Sequence, residues 1–431
     1  MTDLPRSDQE LALVATARRV LPGGGFGNLN SEIIIAEGKG GRVRDVSGNE
    51  YVDFLLGSGP MFIGHAHPKV VEAVQGLIAR GTTFFANNEH GIRLAAAIVD
   101  AVPCAEKVRF TSSGTEADSY AMRVARAWRK RDKILKFEGG YHGMGEYSLQ
   151  SLAPKRPGNF PQASADSPGI PSSVSADMLI APFNDVEATA ALIRQHADEI
   201  AGVIVEPFQR LIPPKPGFLR ALREMTSEAG IPLIFDEIVT GFRFSYGGAQ
   251  ELYGVTPDLC TLGKIVAGGY PLAAIAGRAD IMRYFDRGEV GDDVLPQVGT
   301  LSGNPIASAA GLATLEVLRE PGVYDRAFAT GRRLIEAFTG MIQAAGLPAR
   351  IVGMPVLFDL MFLEGEVSNY RDTLRQDMDA LRRFNATLRQ NGVLKGDSKF
   401  YVSIAHDEAD IALTLKAFQA AVDAEVAFRR G

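Results

Sequence analysis

The stretch 231–269, IPLIFDEIVTGFRFSYGGAQELYGVTPDLCTLGKIVAGG, decides how the chain is read. Ile231 to Phe235 is a short apolar run of the kind that forms a buried strand, and an acidic pair, Asp236 and Glu237, follows at its carboxyl end. Farther on, Asp258-Leu-Cys-Thr-Leu-Gly-Lys264 sets a lysine just beyond a second apolar segment, with Gly268-Gly269 close behind. A lysine that forms a Schiff base must be partly desolvated so that its amine can be neutral. The carboxyl ends of parallel strands, at the mouth of an α/β sheet, provide such a place. Asp236 is the carboxylate that would serve beside it. Read alone, Lys264 is equally an ordinary solvated lysine near a glycine pair.

Outward from this stretch, strands and helices alternate. Strands are expected at Lys107–Phe110, Lys133–Phe137, Asp177–Ala181, Gly202–Val205, Ile231–Phe235 and Leu259–Leu262, and helices at Thr115–Arg131, 185–198 and 217–229. This alternation implies an α/β fold with a mostly parallel sheet covered by helices. The Pro-, Ser- and Gly-rich segment 153–176 reads as a long loop. A helix is expected after Gly303-Asn-Pro305, to about Arg319. Helices near 322–345, 369–391 and 407–428 then flank short strands near 356–362 and 400–404, a smaller α+β pattern. At the N-terminus, Ser7-Asp-Gln-Glu10 has capping-box spacing ahead of a helix ended by Pro22-Gly-Gly-Gly25. Gly38 to Phe54 reads as a hairpin turning at Ser47-Gly48-Asn49, and a helix is expected over Pro68–Arg80. The domain reading is residues 1–60 as a segment packing with the small domain, 61–310 as the large domain and 311–431 as the small one.

Composition limits the functions that such a fold can serve. The chain has 431 residues, with 46% apolar and 22% charged, ordinary values for a globular protein. A net charge of −6 with no basic stripe argues against a nucleic-acid partner. No apolar run approaches the roughly 20 residues that span a membrane, and no basic segment followed by an apolar core marks a signal peptide. The two cysteines, Cys104 and Cys260, have no metal-ligand spacing and suit a reducing compartment. The expectation is a cytoplasmic protein with no metal site.

Other motifs fall at strand ends as well. Thr111-Ser112-Ser113-Gly114-Thr115-Glu116 lies between a strand and a helix, where free backbone N–H groups make an anion site. Ser113, Gly114 and Thr115 could cradle a phosphate, or serve only as the start of the helix. Glu138-Gly-Gly-Tyr-His-Gly143 follows the next strand; Tyr141 could cover a flat ring, and His142 could shuttle a proton or be a hydrogen-bonded structural histidine. Glu206 ends the strand Val203-Ile-Val205 and either faces the ligand crevice or pairs with an arginine such as Arg243. A phosphate cradle, an aromatic ring, an acid and a lysine are the parts that pyridoxal phosphate (PLP) chemistry requires. The acid holds the ring nitrogen protonated so that the ring can draw electrons.

The motifs DEIVTGFR, LGKIVAGGYPLAAIAG, SSGTEA, EGGYHG and GTLSGNP resemble those of class III aminotransferases. This is the fold-type I PLP group that includes glutamate-1-semialdehyde aminomutase and the ω-amine and β-amino-acid transaminases. The likeness runs from Asp53-Phe54 and Gly64-His-Ala-His-Pro68 to Ser403-Ile-Ala-His406. It implies that Lys264 carries the Schiff base and moves the proton, and that Asp236 pairs with the pyridine nitrogen. Ser113, Gly114 and Thr115 would hold the phosphate, and Tyr141 would stack on the ring. His142, Glu206 and Val239 would complete the cofactor site. Thr300 would reach the phosphate of a second subunit, making the enzyme a homodimer with active sites at the interface.

The overall pattern is nearest the aminomutase subgroup, with two departures. Aminomutases carry an arginine shortly after the N-terminal Pro-Gly-Gly, positioned to hold the substrate carboxylate. Here the stretch is Gly25-Phe-Gly-Asn-Leu-Asn30, without one, and Asn30 falls near its place. Where aminomutases have Phe-Glu, this chain has Phe400-Tyr401. Losing a guanidinium removes a bidentate carboxylate clamp. The resemblance therefore implies an intermolecular transaminase that takes its amino group from a primary amine, an ω-amino or a β-amino acid and passes it to a 2-keto acid such as pyruvate or 2-oxoglutarate. The alternatives are an aminomutase or racemase on the same cofactor, and a PLP-bound protein that regulates without turnover.

Overall fold

The computed structural model describes residues 4–29 and 33–431; Asn30 lies outside them. The chain divides into two compact units, one made of residues 1–68, 321–365 and 376–431, the other of 69–320 and 366–375.

The first unit begins with the helix Asp8–Val20, whose N-cap Ser7 accepts from the Glu10 amide. The Glu10 carboxylate does not close a capping box; it accepts instead from the Ile34 amide at 3.1 Å and from the Ser47 hydroxyl. Strands β1 (Ile35–Lys39), β2 (Arg42–Asp45) and β3 (Glu50–Asp53) form an antiparallel meander. The β2–β3 turn falls where the sequence placed it, with Gly48 at φ +89°.

The second unit holds strands β4 (Lys107–Thr111), β5 (Lys133–Phe137), β6 (Met178–Ala181), β7 (Ile200–Val205), β8 (Leu233–Glu237), β9 (Leu259–Leu262) and β10 (Ala273–Gly277). They form one sheet in the order β4-β10-β9-β8-β7-β5-β6. β10 runs antiparallel to both of its neighbours, and the other pairings are parallel. The carboxyl ends of β4, β5, β7, β8 and β9 therefore share one edge. Strands β7 and β8 are buried along their whole length, as expected when both faces of a parallel sheet are covered. The helix Gly114–Arg129 packs Ala117, Ala121, Val124 and Ala125 against Ile204, Ile234, Leu259 and Ile275.

Back in the first unit, β11 (Arg350–Met354), β12 (Leu357–Met361) and β14 (Phe400–Tyr401) form an antiparallel sheet. Between them in the chain, β13 (Val393–Leu394) adds parallel to β3. Helices Val323–Ala345, Met378–Gln390 and Glu408–Arg430 contribute Phe338, Phe384 and Phe418 to an aromatic core with Phe358 and Phe400. Phe338 and Phe418 stack at 3.6 Å between ring centroids. Tyr401 is buried in this unit.

Glycine is structurally required at one crossing within the first unit. A Cβ on Gly331, in the helix Val323–Ala345, would lie 1.7 Å from the Pro355 carbonyl oxygen. Gly331→Ala is expected to destabilise the protein by about 1–3 kcal/mol, the usual cost of overpacking. Gly340→Ala in the same helix, where nothing lies within 4 Å, should be neutral or stabilising. Thermal unfolding midpoints of the two variants check this; equal midpoints would contradict the crossing.

Candidate active site

The shared strand edge of the second unit gathers most of the residues that the sequence singled out. Asp236 is the fourth residue of β8, 4% exposed. One carboxylate oxygen, Oδ2, lies 2.8 Å from His142 Nδ1; Oδ1 accepts from the Ile238 amide at 3.0 Å. His142 is 1% exposed, and its Nε2 has no hydrogen-bond partner among the described residues. Of the two roles the sequence left open for His142, the geometry shows a buried histidine locked to an acid.

Asp236 stands opposite Thr261 in the parallel β8–β9 register. Lys264 follows β9 by two residues and begins a short turn of 3₁₀ helix ending at Gly268. Its φ is +50°, the left-handed region that a residue with a Cβ rarely enters and that is often found at functional sites. Gly263 just before it is extended, and a Cβ there would press on Ile238 at 3.0 Å. A Cβ on Gly114 would press on the same isoleucine from the helix start. The backbone thus closes tightly around Ile238, between the lysine and the helix N-terminus.

Ser113 is the N-cap of the helix Gly114–Arg129. Its hydroxyl accepts from the Glu116 amide, while the Glu116 carboxylate accepts from the Ser112 and Ser113 amides. This reciprocal cap leaves the first-turn amides of Gly114 and Thr115 without partners inside the helix, and they sit at its positive end. Thr115 Oγ1 accepts from the Met144 amide at 3.2 Å, which joins the helix start to the 138–143 loop.

In that loop Gly139 takes φ +84°, and a Cβ there would strike the Tyr370 side chain. The Tyr141 amide donates to Glu206 Oε2 at 2.8 Å. Glu206 therefore fixes the loop that carries Tyr141, and the Arg243 Nε donates to the carbonyl of Val239. The Tyr141 ring lies 5.3 Å from the Arg210 guanidinium, and burial raises the pKa of its hydroxyl.

Thr300 stands apart from this group. It lies exposed in the loop before the helix Pro305–Leu318, and its carbonyl accepts from Thr83 Oγ1. The loop borders a hollow of about 420 Å3 whose lining includes Phe84, Phe85, Ile92 and Val298.

The sequence reading did not single out several residues of the site. Asp118, on the inward face of the helix Gly114–Arg129, accepts from Thr261 Oγ1 at 2.6 Å. Lys136 on β5 is fully buried and donates to the Ser148 carbonyl; burial pushes its pKa down to about 7. Arg371 makes two hydrogen bonds to Glu138 and one to the Gly158 carbonyl, which ties the long loop to the strand edge. An acid on the apolar stripe of Ala117, Ala121 and Ala125 was the one signal that could have revealed Asp118.

A doubly covered, mostly parallel sheet with an acid, a strained lysine and a helix N-terminus on one strand edge defines a cofactor-dependent α/β enzyme. The family model for class-III aminotransferases matches residues 26–421, and the chain belongs to that family, whose members are PLP-dependent transferases of fold type I. It is similar to an omega-transaminase from Sphaerobacter thermophilus at 35% identity, over 99% of each chain with a TM-score of 0.93. It is also similar to a beta-phenylalanine aminotransferase from Variovorax paradoxus, at 29% identity over 97% of this chain and 94% of that one, TM-score 0.87. A glutamate-1-semialdehyde aminomutase from Pseudomonas aeruginosa shares the fold at 24% identity, over 97% of this chain and 94% of that one, TM-score 0.86. No helix among the described residues is long and apolar enough to cross a membrane.

Proposed function

We propose that this protein binds PLP and moves an amino group from a primary amine, an ω-amino acid or a β-amino acid to a 2-keto acid such as pyruvate or 2-oxoglutarate. The observation that carries the cofactor assignment is the placement of Asp236, at the end of β8, and of Lys264, in left-handed backbone just beyond the adjoining β9, on one strand edge. The residues present suit the group. A buried acid is held by His142, whose Nε2 is unpartnered, and a helix N-terminus with free first-turn amides is ready for an anion.

When bound, the cofactor supplies an electron sink for negative charge developing at the substrate carbon. Lys264 would hold it covalently and would carry the proton to and from that carbon. Asp236 would keep the ring nitrogen protonated, and His142 keeps Asp236 in place. The amides of Gly114 and Thr115, with Ser113, hold the phosphate. Tyr141 covers the ring, Glu206 holds the Tyr141 loop, and Val239 completes the contacts. The substrate class is inferred from the stretch Gly25-Phe-Gly-Asn-Leu-Asn30, which has no arginine for a substrate carboxylate, and from Tyr401 in place of an acid. The omega-transaminase and the beta-phenylalanine aminotransferase among its relatives support that choice. A cytoplasmic setting suits two cysteines that are buried free thiols.

The test is to add amines and β-amino acids to the holoprotein, with and without pyruvate or 2-oxoglutarate, and to follow the cofactor absorbance. A transaminase shows a change with amine alone that the keto acid reverses. Turnover with no keto acid would identify an aminomutase or racemase, and no change across the panel would leave a binding protein.

We further infer a homodimer in which Thr300 donates to the phosphate held by the second copy. The support is an apolar surface near Thr300: Phe85 is 70% and Val298 75% exposed, and such patches mark association sites. Thr300→Ala should weaken PLP binding by about 1–3 kcal/mol. Hybrid dimers of Thr300→Ala with Lys264→Ala subunits test the crossing. Their intact Lys264 lies in the Thr300→Ala chain, and its cofactor would receive the other chain's Thr300. Hybrids should hold PLP at that lysine more tightly than the Thr300→Ala homodimer; equal binding would place Thr300 in its own site or in none.

A further inference from the structure

The charge balance behind Asp236 is unusual. Asp118 is 1% exposed and lies on a helix face whose other buried residues are Ala117, Ala121, Met122, Val124 and Ala125. Thr261 has a single hydroxyl proton, and its Oγ1 lies 2.6 Å from Asp118 Oδ1 and 3.4 Å from Asp236 Oδ1. One hydroxyl thus bridges the two buried carboxyls, which lie close enough for the charge of one to raise the cost of charging the other. Two neighbouring carboxylates away from water repel each other, and a proton held on one of them relieves that repulsion.

The surroundings decide which carboxyl carries it. Asp236 has the His142 ring on Oδ2 and the Ile238 amide on Oδ1, both of which stabilise a negative charge. Asp118 has the Thr261 hydroxyl and faces acids, Asp236 and more distantly Glu206. We propose that Asp118 is a positioning residue: a neutral carboxylic acid that donates to Asp236 and, together with Thr261, stops that carboxylate from turning. Burial first, and then the Asp236 charge, push the Asp118 pKa well above the usual carboxylate range, in agreement with the geometry. The arrangement braces Asp236 from behind without placing a second negative charge beside it. Its functional consequence rests on the reading of Asp236 as the partner of the cofactor's ring nitrogen; the location of the proton does not.

Two measurements separate these points. Infrared spectra of the full-length protein, before and after removal of PLP, should show the carbonyl stretch of a protonated carboxylic acid at about pH 8. Asp118→Asn should remove the Asp118 share of that band, leaving any share of Glu237, a second carboxyl whose pKa burial raises. A band unchanged in Asp118→Asn would place the proton elsewhere and overturn the proposal, whether or not the protein uses PLP. In the holoprotein, Asp118→Asn keeps an N–H for Asp236 and an oxygen for Thr261, so its amine half-reaction should stay within about threefold of wild type. Asp118→Ala and Thr261→Val remove those contacts. Each should slow the half-reaction, Asp118→Ala by about tenfold or more, the scale for losing a hydrogen bond to a charged group. Thr261→Val keeps strand shape and propensity and serves where Asp118→Ala fails to fold. If Asp118→Asn is as slow as Asp118→Ala, or if neither Asp118→Ala nor Thr261→Val is slower than wild type, Asp118 does not position Asp236. If no variant and no wild-type sample binds PLP, the reading of the site fails while the infrared result stands.

Discussion

Lys264→Ala is expected to fold, to lose covalent attachment of PLP and to lose transamination by about a hundredfold or more. Proton transfer by a positioned group is typically worth 10²–10⁴-fold, and in the proposed site one side chain would serve for both attachment and transfer. Borohydride treatment of the wild-type holoprotein should leave the cofactor on the peptide containing Lys264, and none should remain on Lys264→Ala. A label on another lysine, such as the buried Lys136, would sink the assignment. Folding should survive the change. Lys264 has φ +50°, and alanine inherits that strained backbone without adding to it, since both residues carry a Cβ. Lys264→Gly offers a second check. It should lose the same activity while gaining stability of the order of 1 kcal/mol, because glycine enters the left-handed region without penalty. A loss of activity accompanied by relief of strain would show that the fold holds the lysine in place for its chemistry.

The parts of this site that could be read from sequence are those in which residue type and strand edge coincide. Apolar runs such as Val203-Ile-Val205 and Leu233-Ile-Phe235 announced β7 and β8, and the acids that follow these two runs, Glu206 and Asp236, stand at the carboxyl edge. Asp236, Lys264, Ser113 and Tyr141 were therefore visible as candidates. Strand β10 was not, because Ala273-Ala-Ile-Ala-Gly277 is built from residues that strands usually avoid. It needs them small: a Cβ on Gly277 would lie 2.5 Å from the Asp258 carbonyl. The helix Glu89–Ala101 was also missed, since its buried face is only Gly91, Leu94 and Ile98. The expected helix over 369–391 is broken into Tyr370–Thr373 and Met378–Gln390, with Asp377 capping the second piece; no proline or glycine marks the break. Pairings across the fold left no trace in sequence. Glu206 accepts the Tyr141 amide 65 residues away, and Thr261 reaches Asp118 143 residues away. Such contacts depend on register and helix packing, which local spacing does not encode.

Asp236→Asn is expected to keep PLP bound within a few fold and to slow the amine half-reaction by about ten- to a hundredfold. The asparagine fits the space and can still accept from the Ile238 amide at Oδ1. Its NH2 would then face His142 Nδ1, which lies 2.8 Å from the present oxygen, so the imidazole must present a lone pair there and carry its proton on Nε2. That nitrogen is buried and has no partner, so the variant keeps its hydrogen bond at the cost of an unsatisfied buried N–H. The electrostatic change matters more. An amide cannot hold a proton on the ring nitrogen, and the electron sink weakens where charge develops. The expected loss corresponds to about 1.5–3 kcal/mol, the range for a hydrogen bond to a charged group. Stopped-flow absorbance at saturating amine measures it apart from keto-acid binding. A rate within about threefold of wild type, roughly 0.7 kcal/mol, would mean that some other acid holds the ring nitrogen or that none is needed. Asp118, braced behind Asp236 by Thr261, would be the first acid to examine.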